Sequence, residues 1–189
     1  MEFFMKHYIA DLKKYLDEIS VQEVKTIANV IYEGYLKDKQ IFIMGNGGSA
    51  STSSHFACDL SKSTAIVNKR RLRVHSLNDN ISLMTALSND IGYDKVFEEQ
   101  LINHINSHDV VIGISASGNS KNILDAMDYS KQRGAITIGF IGFEGGSLYN
   151  KVDYKVLIRS MDYGIVESIH LALEHLICLS VKDMIEKND

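Results

Sequence analysis

The sequence predicts an α/β fold built on a five-stranded parallel sheet flanked by helices. From residue 40 onward, short apolar runs at 40–44, 72–76, 109–114, 135–141 and 153–158 alternate with helical spacing at 50–62, 80–88, 93–105 and 119–133. Strands separated by helices of this length are joined by right-handed crossovers, which gives a parallel sheet. Two of the runs, 40–44 and 109–114, lead straight into glycine- and serine-rich turns that open the next helix. Those are the strand ends at which such sheets hold ligands.

The remaining elements follow in order. Residues 3–18 and 21–37 carry helical spacing, with Val24, Ile27, Ala28, Ile31 and Tyr32 on one stripe of the second. No strand precedes these helices, so they cannot both be crossovers. Their apolar faces must cover the sheet or another subunit, and residues 1–37 are read as an oligomerisation element ahead of an α/β core at 40–189. A long helix at 163–187 closes the chain. No linker or repeat interrupts it, and 189 residues suit a single domain.

Composition narrows the function. Net charge is −4, and the one basic run, Lys69-Arg70-Arg71 with Arg73, is short. That speaks against a nucleic-acid surface and marks a solvated loop before a strand. We read no apolar stretch of membrane length and no secretory signal, so no membrane partner is expected and the expected compartment is the cytoplasm. The two cysteines, Cys58 and Cys178, are expected as reduced fillers of a core or an interface.

Two turns carry the chemistry. Gly45-Asn46-Gly47-Gly48-Ser49 follows the first strand, and Ser49 lies near the expected cap of the next helix. Ser115-Ala116-Ser117-Gly118-Asn119-Ser120 follows the third strand and surrounds a glycine with hydroxyls at another helix start. Hydroxyls, backbone N–H groups and a positive dipole end suit a phosphate monoester. No Walker lysine follows, so this is not a nucleotide P-loop, and an ordinary serine-rich cap is the plainer alternative. Farther along the first helix, His55 and Asp59 stand four residues apart on one face, a candidate catalytic or metal-binding pair.

These loops, with Asn78-Asp79-Asn80 and the stretch Asn89-Asp90-Ile91-Gly92-Tyr93-Asp94-Lys95-Val96-Phe97, resemble the sugar isomerase (SIS) domain, within it the phosphoheptose isomerase branch. The resemblance covers essentially the whole chain, including Glu167-Ser168-Ile169-His170 and His175. It implies a flavodoxin-like sheet, a homotetramer with sites shared between subunits, and isomerisation of sedoheptulose 7-phosphate to D-glycero-D-manno-heptose 7-phosphate through an enediol. It puts the phosphate cradle on Ser115, Ala116, Ser117 and Ser120. Sugar contacts fall on Asn46, Gly47, Gly48, Ser49, Asn89, Asp90 and Glu167. The catalytic pair is Asp59 and His175, and a zinc ion would take His55, Asp59, Glu167 and His175.

Four positions depart from the family pattern. Asp59 stands where Glu is usual, Glu167 where Gln is usual, Ala116 where Thr is usual and Gly164 where Asp is common. A second carboxylate near Asp59 makes the site more anionic and favours a cation there. Glu167 and His175 are eight residues apart, about 12 Å along an ideal helix, so one ion reaches both only if side chains lean together, the helix start is irregular or subunits share the site. His170 is read as a packed, hydrogen-bonded core histidine. The alternative function is a non-catalytic SIS module that binds a sugar phosphate or a protein such as a replication initiator. Such a module has no need of His55, Asp59 and His175.

Overall fold

The first, third and fourth strands are apolar on both faces, as a parallel sheet covered on both sides requires. The computed structural model, which describes residues 1–188, places them at the centre. The strands are β1 (Gln40–Gly45), β2 (Arg73–Ser76), β3 (Val110–Ser115), β4 (Ile136–Gly142) and β5 (Tyr154–Ile158). All pair in parallel, in the order β2-β1-β3-β4-β5. β3 is buried along its whole length. The strand order reverses between β1 and β3, the crevice where sheets of this order hold their ligands.

Alternate residues of each strand feed two cores. Ile41, Ile43, Ile112, Ile114, Ile138 and Phe140 face α2 (Val21–Leu36), α3 (Gly48–Lys62) and α7 (Tyr163–Asn188). Phe42, Met44, Val111 and Ile141 face α5 (Glu98–His104) and α6 (Lys121–Gln132). α1 (Glu2–Asp17) and α4 (Ile81–Asp90) complete the helices.

The strands and crossovers follow the sequence expectation, with local corrections. Residues 93–105 are not one helix. A short 3₁₀ turn at Tyr93–Lys95 precedes α5, while Val96 and Phe97 are fully buried between them. The Tyr93 hydroxyl donates to Asn46 Oδ1 at 2.7 Å, and burial of the next two apolar residues holds this stretch off a helical path. α3 begins at Gly48, and its N-cap is Gly47 at φ 57°, a left-handed conformation suited to glycine, rather than Ser49. Cys178 is buried as expected, whereas Cys58 is exposed.

The N-terminal pair divides. α2 packs on its own sheet and α7, with Ile27 and Ile31 essentially inaccessible. α1 buries no residue and leaves Phe3, Phe4, Met5 and Ile9 exposed. α7 corrects a further expectation, that no apolar stretch reaches membrane length. It is long and apolar enough, by length and composition, to cross a membrane. Here it is a core helix, half of whose most apolar window is buried.

Candidate active site

The loop after β3 is a cradle of backbone and hydroxyl groups. Ser115 Oγ accepts the N–H of Gly118 at 3.1 Å, and Ser117 Oγ accepts the N–H of Asn119 at 3.2 Å. Each hydroxyl spends a lone pair on the backbone, so its proton is free to donate elsewhere. Ser115 and Ser120 hydroxyls lie 3.3 Å apart, so one of their two protons is shared within the pair. Gly118 is left-handed at φ 64°, and a Cβ there would overlap the Gly145 carbonyl. Only glycine lets the two loops meet so closely.

The loop after β1 faces this cradle. Asn46 and Asn122 exchange amide hydrogen bonds at 2.9 and 3.0 Å, tying the first loop to the start of α6. The Asn78 side chain pairs with both the N–H and the carbonyl of Gly45. Together the loops enclose a cleft of about 300 Å³ lined by Asn46–Ser49, Ser115–Ser117, Ser120, Tyr163 and Glu167. The N-termini of α3 and α6 both open into it, which favours an anion. Glu167 lies directly over Gly48, where a Cβ would overlap its carboxylate. On the far side of that contact a second cleft of about 300 Å³ continues past Glu167 to His55.

At its end lies a cluster from α3 and α7. His55, Asp59, Glu174 and His175 each offer one ligand atom, all within 4.8 Å of one another. Asp59 Oδ2 is 3.8 Å from His55 Nε2 and 3.7 Å from His175 Nε2. Glu174 Oε1 is 3.5 Å from His55 Nδ1 and 3.6 Å from His175 Nε2. The two imidazoles meet edge to face and are partly open to solvent. Glu174 is fully buried, and neither carboxylate oxygen has a hydrogen-bond partner. Burial first, then the charge of Asp59, pushes its carboxyl up to about 8. Burial, then Glu174 and Asp59, also pushes the Cys178 thiol up.

Such a set, two imidazoles and two carboxylates with unsatisfied buried oxygens, fits a divalent cation. It also fits proton transfer, since a carboxylate and an imidazole are the usual general acid–base groups.

Comparison with known proteins identifies the family. A profile of the SIS domain matches residues 7–142. The phosphoheptose isomerase of Clostridium acetobutylicum is 34% identical over 167 residues, 88% of this chain and 83% of its own. That of Thermodesulfovibrio yellowstonii is 33% identical over 187 residues, covering 92% and 90%. The structure of phosphoheptose isomerase GmhA from Neisseria gonorrhoeae superposes with a TM-score of 0.90 at 26% identity, covering 96% of this chain and 98% of that one. The chain belongs to the SIS-domain phosphoheptose isomerase family.

Set against that family, the expected residues divide. Asn46, Gly47, Gly48, Ser49, Ser115, Ala116, Ser117, Ser120 and Glu167 line one cleft. His55, Asp59 and His175 come together as expected. Glu167, expected among the metal ligands, is not in that group, whose fourth member is Glu174, adjacent to His175. Asn89 and Asp90 are exposed at the end of α4, where the Asn89 amide donates to Asp90 at 2.8 Å, and neither lines the two clefts. His170 is the core histidine expected. Its Nε2 donates to the Ile141 carbonyl at 3.3 Å, and burial holds it neutral, down to about 4.

Sequence reasoning missed Glu174 and Tyr163. A signal for Glu174 was present: His170, Glu174 and Cys178 recur at four-residue steps on the apolar stripe of α7. A carboxylate on a buried stripe needs a partner. Tyr163 sits at the first turn of α7, edge-on to Phe143, with no pattern to mark it.

Proposed function

We propose that the chain interconverts sedoheptulose 7-phosphate and D-glycero-D-manno-heptose 7-phosphate through an enediol. The supporting observation is the continuity of the site. A phosphate cradle at the switch point opens, past Glu167, onto a cluster of titratable groups. A sugar phosphate has the same polarity, with its phosphate at one end of the carbon chain and C1 and C2 at the other. Ser115, Ser117 and Ser120 hold the phosphate with the first N–H groups of α6. Asn46, fixed by Asn122 and Tyr93, orients hydroxyls along the chain.

Asp59 and His175 are the catalytic pair. Moving one proton between C1 and C2 requires a carboxylate at carbon and an imidazole at the oxygens. Glu167, over Gly48, is a second carboxylate facing the sugar. His55, Asp59 and His175 would also hold a divalent ion, zinc by the chemistry of the donor set, and when bound it would polarise the substrate carbonyl. A pure binding module would need the cradle alone, so the cluster of titratable groups argues for the enzyme. An isomerase assay across C5–C7 ketose phosphates tests the reading. We expect the C7 substrate to be turned over fastest, and no turnover of any would refute it.

The exposed apolar face of α1 supports assembly into a homotetramer. Phe3, Phe4 and Ile9 are 82%, 70% and 51% exposed, a patch that assembly would cover. Phe4→Glu with Ile9→Glu should reduce the mass seen by light scattering without unfolding the chain. An unchanged tetramer would remove α1 from the interface.

A further inference from the structure

We propose that Glu174, not Glu167, supplies the fourth ligand to an ion at His55, Asp59 and His175, and that Glu167 is thereby left to the sugar. This rests on the reading that the cluster binds a divalent cation. Three observations carry it.

Glu174 is the one cluster member wholly out of water, and both its oxygens lack a hydrogen-bond partner. A buried carboxylate without donors is strongly unfavourable unless a cation neutralises it or it takes up a proton. The basic groups beside it are the two imidazoles, at 3.5 and 3.6 Å.

The spacing is already close to that of a coordination shell. Zinc bonds of about 2.0–2.2 Å in a tetrahedron set neighbouring ligand atoms about 3.3–3.6 Å apart. The four contacts among the cluster run from 3.5 to 3.8 Å. His55 now turns a different nitrogen to each carboxylate, so committing one nitrogen to an ion needs a modest ring rotation. Two carboxylates with two neutral imidazoles also balance a divalent charge, and a third carboxylate would overshoot it.

Glu167 lies elsewhere. It is seven residues before Glu174, on the same stripe of α7 but about 10.5 Å nearer the helix start. Its carboxylate covers Gly48 and lines both clefts. The two glutamates therefore serve different ends of one site: Glu174 closes the shell from the core side, and Glu167 meets the substrate.

The test uses full-length protein stripped with EDTA and titrated with zinc against a chromophoric chelator, with Glu174→Gln and Glu167→Ala beside the wild type; alanine leaves no donor atom at 167. We expect one equivalent per chain for the wild type. Glu174→Gln should bind roughly a hundredfold or more weaker, exceeding the 10–100-fold effect of outer-shell changes. Glu167→Ala should bind within about threefold of wild type while its KM for the sugar phosphate rises. The visible spectrum of the cobalt-substituted protein should change in Glu174→Gln and stay unchanged in Glu167→Ala. Tight binding by Glu174→Gln, or loss of the ion in Glu167→Ala, would overturn the assignment. A wild type that binds no metal would overturn the cation reading itself, and this assignment with it. If Glu174→Gln does not fold, Glu167→Ala decides alone: full affinity with an unchanged cobalt spectrum supports the assignment, and loss of the ion refutes it.

Discussion

The cradle after β3 and the cluster between α3 and α7 are built on opposite principles. The cradle is contiguous in the chain and uses neutral donors: three serines, backbone N–H groups and a helix start. The cluster joins two helices more than a hundred residues apart in sequence, and it is charged and partly buried. The cradle is shaped by its own hydrogen bonds before any ligand arrives, with hydroxyl protons left to donate. The cluster is not, since both oxygens of Glu174 lack donors. A site already shaped when empty is suited to binding. A site left unsatisfied holds its free energy for a cation or a proton, and so is suited to chemistry.

That contrast is most sharply broken or upheld by removing the catalytic pair. His175→Gln or Asp59→Asn should lower turnover about 10²–10⁴-fold, the usual worth of general acid–base catalysis. Calorimetry should still show sugar-phosphate binding within a few fold of wild type. Loss of binding in parallel with turnover would mean that the cluster, too, is a binding element.

Ser117→Ala probes the other side. A hydroxyl bond to a charged oxygen is worth about 1.5–3 kcal/mol, so KM should rise roughly tenfold or more with kcat little changed. An unchanged KM would take the loop out of the phosphate site.

A smaller effect concerns stability and pH. In EDTA, the raised carboxyl of Glu174 keeps its proton in the folded chain to about 8, whereas it ionises near 4.5 when unfolded. Its contribution is therefore full at acid pH and lost as pH rises through about 8. His170 acts in the opposite direction, because its folded value is depressed from 6.5 to about 4, so its contribution is lost only below 6.5. Between pH 6.5 and 8.5 the chelated protein should lose stability in urea titrations, and Glu174→Gln should flatten that slope. An equal slope in both proteins would show that Glu174 is solvated or paired.

The same contrast explains what the sequence made legible. Both loops could be read directly, because a strand, a glycine turn and a helix start are adjacent in the chain. His55 and Asp59 could also be read, since four residues along one helix is a fixed distance. The partner on α7 could not. Glu167 and Glu174 lie on one stripe, and only the packing of α7 against α3 decides which turn sits opposite His55. The long spacing from Glu167 to His175 was a warning, and the group that the fold assembles contains Glu174, the neighbour of His175, and not Glu167. The break at Tyr93–Phe97 was hidden for a similar reason: it depends on Asn46 and the core, not on local propensity.

The central claim is that one substrate spans both regions. The direct measurement follows, by NMR, conversion of sedoheptulose 7-phosphate and of unphosphorylated sedoheptulose by the wild-type protein. Two lost charged hydrogen bonds at about 1.5–3 kcal/mol each predict conversion of the phosphate with kcat/KM at least about a hundredfold above that of the free sugar. No aldose from the phosphate, or equal kcat/KM on both sugars, would contradict it.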